Sequence, residues 1–522
     1  MNAGDLAGGV VAAAGVVGAA LRWWRVAQRE HYYVGGASRF ALRWWRSTPS
    51  NLGLVLGALG GCAATPFFGW PAILTGLVGC AAPLGLPLRG RTSRLAWTRR
   101  LRTLAAATLV LAALLDAVAG VLGGTRALLT ALALEVIGAP VLVDLALVLL
   151  GPLEARLGAR YVARAVGVLA RVRPRVVAIT GSYGKTSTKG YLAHLLGGRF
   201  AVVASPRSFN NRAGLARTVN ENLVPGTEVL VAEMGTYGPG EIAALCRWLA
   251  PEVSVLTAIG PVHLERFGSL DRTLAAKSEI VAGARVVVCN VDDARLAGLA
   301  DRLEAAGRDV RRASGGTPAG GACADVVVRV GDEALSLVVE DREVGTVALA
   351  AGAHAPAGSN VACAVAAALA LGATPEELCR RLGALPVADN RLQRSVTERG
   401  VVVLDDTFNS NPAGARLALR ELRRQASPTG RRVVVTPGMV ELGPLQFAEN
   451  AAFAEAVAAI ATDLVVVRRT NRSALLAGAA RAGGGCALVV VADRDAAVAW
   501  VRGELGEGDV VLYENDLPDH FP

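Results

Sequence analysis

Residues 176–187 join a strand-like run, Val176–Thr180, to a glycine-framed turn, Gly181-Ser182-Tyr183-Gly184-Lys185-Thr186-Ser187, and the turn to a helix-like run, Ser187–Leu196. That succession is the context a phosphate loop requires within α/β architecture. Glycines let backbone N–H groups close on phosphates, and the helix N-terminus adds its dipole. In such a loop Lys185 reaches the outer phosphates and the Thr186 hydroxyl binds Mg²⁺, while Gly181, Ser182, Gly184 and Ser187 complete the cradle. The spacing is shorter than that of the standard Walker loop.

Lysine usage points to the same place. Only three of the 54 basic side chains are lysines: Lys185, Lys189 and Lys277. A chain that prefers arginine keeps lysine where a guanidinium cannot serve, under phosphates or where an amine is modified. Lys189, one turn beyond the loop, reads as a surface residue of its helix rather than a second phosphate contact.

From Arg175 onward, β-rich runs alternate with helical ones. Strands are expected at Val229–Glu233, Ser254–Ala258, Val286–Asn290, Val401–Asp405, Val433–Thr436, Leu464–Val467, Leu488–Val491 and Val510–Tyr513. Asp325–Leu349 reads as hairpin-like and Thr374–Leu385 as a helix, with a boundary near Pro386–Arg391. These residues are too many for one average domain. They divide into a nucleotide-binding domain, 172–388, and a C-terminal α/β domain, 389–522.

The first 150 residues differ. The chain is 52% hydrophobic, with a mean hydropathy of +0.41, and the excess is local. Leu6–Leu21, Ser47–Leu88, Thr103–Leu115 and Ala127–Leu134 are long uncharged stretches. About 20 apolar residues span a bilayer, so Ser47–Leu88 is long enough for two passes. Arginines cluster at 22–46, 89–102 and 156–175. The positive-inside rule puts all three clusters in the cytoplasm. About five transmembrane helices with the N-terminus outside satisfy them together, though four or six remain open. Residues 151–171 then form a basic juxtamembrane helix or linker. Asp116, Glu135 and Asp144 face the bundle interior. The formal charge of +10 is explained by orientation and membrane lipid, without nucleic acid. Eight scattered cysteines form no Cys-x-x-Cys pair. The expected location is the cytoplasmic membrane, multi-pass, with the α/β domains in the cytoplasm.

Further residues carry chemistry. Glu233 ends a strand beside the loop, where its carboxylate can meet a metal. Lys277 reads either as a snorkelling lysine or as an amine that takes up CO₂.

Several segments, in order, resemble the Mur ligase family of ATP-dependent amide-forming enzymes. They are the glycine loop, Ser205–Asn211 with Gly214, Val231–Gly235 with Pro239–Ile242, and Ala258–Asp271 with His263. Lys277, Gly358-Ser359-Asn360, Asn390-Arg391-Leu392, Asp405–Pro412 and Gly438–Gly443 follow. The Asp-Asp-x-x-Asn-x-Asn-Pro form is most similar to the member that adds D-alanyl-D-alanine. The resemblance implies a central P-loop ATPase domain and a Rossmann-like C-terminal domain. It implies Mg²⁺ at Thr186, Glu233, His263 and a carbamylated Lys277, with Lys185, His263 and Lys277 catalytic. Asn360, Arg391 and Asp406 would contact ATP, with Asp405 an alternative to Asp406. Asn210, Asn211, Asn409 and Asn411 would lie on the acceptor side. The implied reaction joins a cell-envelope precursor to an amino acid or dipeptide through an acyl phosphate. Two features depart from the family: a membrane region replaces the usual N-terminal domain, and the C-terminus lacks a Lys-Gly-Ser-type ending. A polyglutamate or capsule-type synthase, and a nucleotide-dependent scaffold or transporter without ligase activity, are the competing readings.

Overall fold

In the computed structural model, which describes residues 3–86, 95–206, 209–331, 333–349, 355–386, 392–407, 410–517 and 521, the chain divides into two units, 1–158 with 517–522 and 159–516.

The first unit is helical: α1 (Ala3–Arg29), α2 (Gly36–Trp45), α3 (Pro49–Ala64), α4 (Pro71–Ala81) and α5 (Arg99–Val172), which runs on beyond the unit. Gly124, at φ +67°, breaks α5 into two arms. Small residues seat α1 on α4: a Cβ on Gly15 would lie 2.6 Å from the Gly76 Cα, so only glycine permits the approach. Asp5 and Arg126 pair at 3.4 Å at one end, beside Gly69. At the other end Trp44 Nε1 donates to the Leu84 carbonyl (3.1 Å), Gln28 Nε2 to that of Ala96 (2.7 Å), and Arg100 Nε to Glu154 (2.9 Å). The chain thus runs between the two ends five times, through α1, α3, α4 and both arms of α5.

Gly4–Arg29 and Arg99–Val172 are long and apolar enough to cross a membrane. α3 and α4, with 16 and 11 residues, do not meet that measure: at 1.5 Å per residue they reach about 24 and 17 Å of an apolar core about 30 Å thick. Of the three acids expected to face inward, Glu135 and Asp144 are buried, and Asp116 is half-buried. Asp144 accepts from Ser38 N (2.9 Å) and Ser38 Oγ (2.5 Å), capping the start of α2.

The second unit holds two sheets. The first has nine strands in the order β2-β3-β1-β4-β5-β6-β7-β8-β9. They are β1 (Arg175–Thr180), β2 (Val202–Ala204), β3 (Val229–Glu233), β4 (Val253–Leu256), β5 (Val286–Asn290), β6 (Asp309–Ser314), β7 (Val326–Val330), β8 (Ala334–Val339) and β9 (Arg342–Ala348). β1 to β7 pair in parallel, and β7–β8–β9 form the expected antiparallel hairpin. Val177 and Ile179 of β1 pack toward Leu192 and Leu195 of α6 (Lys185–Leu196), while Val176 and Ala178 face Leu215 and Val219 of α7 (Arg212–Asn222). Both faces are covered, so the strands read as continuous apolar runs. β1 lies between β3 and β4, where the strand order reverses, the place where open α/β sheets build ligand crevices.

The second sheet runs β10-β11-β15-β12-β13-β14. Its strands are β10 (Gln393–Val396), β11 (Val402–Asp406), β12 (Arg432–Thr436), β13 (Asp463–Val467), β14 (Ala487–Val491) and β15 (Val510–Glu514). All pairs are parallel except β10–β11. The helix expected at Thr374–Leu385 is present, with Thr374 and Glu377 forming a capping box.

Candidate active site

The glycine turn leaves β1 and enters α6 through Gly184 at φ +82°. A Cβ there would fall 2.2 Å from the Asn360 Oδ1, so glycine serves both the backbone angle and the close approach of Asn360. Asn360 belongs to the buried helix Gly358–Ala370 and lies against the loop. Lys185 Nζ donates to the Gly181 (2.6 Å) and Ser182 (3.2 Å) carbonyls. The Ser182 hydroxyl is engaged by Gly260, donating to its carbonyl (3.1 Å) and accepting from its N–H (3.0 Å). Ser187 lies in the first turn of α6.

Glu233 ends β3 in register with Ile179 of β1, which brings its carboxylate beside the loop. It is 1% exposed. Oε2 accepts from Thr186 Oγ1 (3.0 Å) and from Lys189 Nζ (3.0 Å), and Oε1 accepts from Asn210 Nδ2 (3.1 Å). Burial is the largest single influence on this carboxyl and pushes it up; the charges of Lys189 and Lys185, with hydrogen bonds from Lys189 and Asn210, act the other way and the net direction is below the usual carboxylate range.

Lys189 corrects the sequence reading. It is a buried partner of Glu233 and not a surface residue, because α6 turns this position toward the sheet. Lys277, in the last turn of the helix Leu270–Ser278, is 4% exposed and has no hydrogen-bond or ion-pair partner among the described residues. Burial, and then the charge of Lys185, push its amine well below the ordinary lysine value. All three lysines of the chain therefore gather around the loop.

His263 is placed differently from its expected metal role. It caps a short helix in the left-handed region (φ +59°), and its Nδ1 hydrogen-bonds the Glu441 carboxylate. The Leu264 N–H donates to the Glu441 carbonyl (3.0 Å), and the Tyr237 ring stands edge-on to the imidazole at 5.2 Å. Among the described residues no three His, Cys, Asp or Glu side chains gather into a metal cage. Mg²⁺ does not need one: it keeps several waters and takes one or two carboxylates with substrate phosphates. Glu233 and Thr186, already joined, fit that demand.

Asn211 and Asn411 act as helix caps, each accepting the N–H of the glycine three residues on at 2.9 Å. Asn210 is bound to Glu233 instead of lying open to an acceptor. Asp406 is buried at the end of β11 and accepts the Leu392 N–H (3.2 Å), while Asp405 holds Thr407 through its Oγ1 (2.6 Å). Arg391 and Asn409 lie outside the described residues. Sequence reasoning missed two partners. The chain's scarcity of lysine singled out Lys189, and the Gly438–Gly443 segment contained Glu441, but neither signal named the residue across the contact.

Comparison with known proteins matches residues 179–368 to the Mur ligase middle domain and 390–513 to the Mur ligase, glutamate ligase domain. The UDP-N-acetylmuramoyl-tripeptide–D-alanyl-D-alanine ligase of Mycobacterium leprae is 33% identical over 362 residues, covering 65% of this chain and 70% of the relative. The enzyme of that name from Mycobacterium bovis is 35% identical, covering 65% and 69%. Among solved structures, the MurF ligase from Thermotoga maritima in complex with ADP superposes with a TM-score of 0.59 at 25% identity, covering 69% of this chain and 80% of the other.

Proposed function

We propose, from the premise that this chain belongs to the Mur ligase family and is an ATP-dependent carboxylate–amine ligase, that it joins D-alanyl-D-alanine to the tripeptide carboxylate of a peptidoglycan precursor at the membrane surface. The observation that carries this reading is the cluster of buried Glu233 and Lys189 with half-buried Thr186 beside the Lys185 loop. Support for the substrates comes from the mycobacterial relatives' names and from the sequence Asp405–Pro412, which begins at the end of β11.

The residues divide the work. The loop backbone and the α6 N-terminus bind the phosphates, and Lys185 neutralises charge on the γ-phosphoryl group as the acceptor carboxylate attacks it and ADP departs. Glu233 and Thr186 would hold Mg²⁺, which would supply charge neutralisation at the phosphates. The dipeptide amine then attacks the acyl carbon, the amide C–N bond forms, and phosphate leaves with the acyl oxygen. The depressed Lys277 amine favours the uncharged form that adds CO₂, and a carbamate there would give the site a second carboxylate. Asn360 and Asp406 would hold the nucleoside side, with Arg391. His263, hydrogen-bonded to Glu441, would tie the ATP-binding domain to the amine-bringing domain.

The first unit would anchor the enzyme in the cytoplasmic membrane. Its outward side chains include Leu56 (58% exposed), Phe67 (75%), Val121 (85%) and Leu122 (82%), a surface suited to lipid. Five traverses of a membrane would leave the N-terminus outside and the arginine clusters in the cytoplasm, as the positive-inside rule asks. Alkaline carbonate extraction tests the anchor: the protein should stay in the pellet, and release would refute it. For the chemistry, hydroxylamine should trap an acyl hydroxamate only when ATP and the tripeptide acceptor are both present. ADP formation with no hydroxamate would refute the intermediate.

A further inference from the structure

We infer that Lys189 is a positioning residue for the metal site, fixing the Glu233 carboxylate so that its Oε1 faces the ion. The inference rests on the reading above that Glu233 binds Mg²⁺. Lys189 sits one helical turn from Lys185, on the face of α6 turned to β3, and is 5% exposed. Its Nζ lies 3.0 Å from the Glu233 Oε2, which also takes the Thr186 hydroxyl at 3.0 Å. Two donors saturate that oxygen, since a carboxylate oxygen offers about two lone-pair positions. Oε1 takes only the Asn210 amide among the hydrogen bonds described (3.1 Å), and keeps a second direction for a cation. The ion pair therefore selects which oxygen meets the metal, and it compensates a carboxylate charge held in the interior.

The identity of the residue fits the role. Arginine supplies 51 of the 54 basic side chains, obtained by subtracting the three lysines. A guanidinium in this enclosed place would present a planar fork and reach both carboxylate oxygens, closing the direction left open at Oε1. A single ammonium engages one oxygen and leaves the other. Burial with a charged partner also removes Lys189 from the role of a phosphate contact.

The test is Mn²⁺ binding, read by electron paramagnetic resonance on the full-length detergent-solubilised protein with ADP, for the parent, Lys189→Met, Lys189→Arg and Glu233→Ala. Circular dichroism checks that each variant is folded. The expected result is at least a tenfold loss of Mn²⁺ affinity in Lys189→Met and Lys189→Arg, with the KM for ATP at saturating Mg²⁺ changed less than threefold. Lys189→Arg is decisive if Lys189→Met does not fold, because it retains the charge and loses only the geometry. Mn²⁺ affinity within twofold of the parent in Lys189→Arg, with affinity lost in Glu233→Ala, overturns the inference and leaves the metal reading intact. Unchanged affinity in Glu233→Ala overturns the metal reading itself, and the inference with it.

Discussion

Replacing Gly184 with alanine tests whether the turn after β1 has the geometry that phosphate binding needs. Gly184 sits at φ +82°, and a Cβ would lie 2.2 Å from the Asn360 Oδ1. Left-handed backbone costs an L-residue about 1–2 kcal/mol, and the contact must push the Asn360 amide off the loop. If the turn holds its shape, the cost falls on stability. If it relaxes, the cost falls on catalysis as a loss of about 5- to 30-fold in kcat/KM for ATP, with the Asn360 displacement adding to it. Gly190→Ala in the same helix is the control. Its Cβ would meet only the Pro386 Cγ, at 3.9 Å, and alanine in a helix interior gains about 0.5–1 kcal/mol over glycine. Steady-state kinetics and thermal unfolding of both variants are the assay. Gly184→Ala matching the parent in kcat/KM and in Tm would refute the reasoning.

Glu441→Ala should lower kcat more than it raises the KM for ATP, because it frees the His263 side chain without touching the phosphate loop; steady-state kinetics separate the two. Lys277→Met should abolish ligation and yet raise Tm at neutral pH. A lysine whose pKa falls on folding binds its proton more tightly when unfolded, so below its ordinary value it destabilises the fold; an unchanged or lower Tm would contradict this. Glu233 has the opposite sign. Its depressed carboxyl contributes stability above the ordinary carboxylate value, lost as pH falls through the folded value, so Glu233→Gln should flatten the acid limb of the stability curve. Labelling with ¹³C-bicarbonate should give a carbamate resonance in the parent that is absent in Lys277→Arg.

How much of this was legible in the sequence follows from how local each signal is. The apolar strands β1, β3 and β5 were readable because both faces are covered and their central positions are apolar, with polar residues only at the ends. β6, Asp309-Val310-Arg311-Arg312-Ala313-Ser314, was not, since its arginines look solvated; Arg312 in fact pairs with Asp301 (2.6 Å) and Glu304 (2.7 Å) from the preceding helix. β2 has three half-buried residues and no pattern to find. In the site, the positions of Lys185 and Thr186 at the start of α6 and of Glu233 at the end of β3 were legible because each sits where an apolar strand run ends or its loop enters a helix. Lys189 was misjudged because an exposed and an inward helix position differ only in what stands opposite, and the partner lies 44 residues away. The His263–Glu441 contact spans 178 residues and was invisible for the same reason. Asn211 and Asn411 show the reverse limit: the resemblance put both on the acceptor side, and the structure uses both as helix caps.

The most direct test is product formation by the purified full-length protein with ATP, Mg²⁺, UDP-N-acetylmuramoyl-tripeptide and D-alanyl-D-alanine, followed by mass, with Lys185→Ala beside it. The account predicts one new amide product, dependent on both the acceptor and the dipeptide and lost in the variant. Phosphate release that ignores acceptor and amine alike, with no product of the added mass, would contradict it.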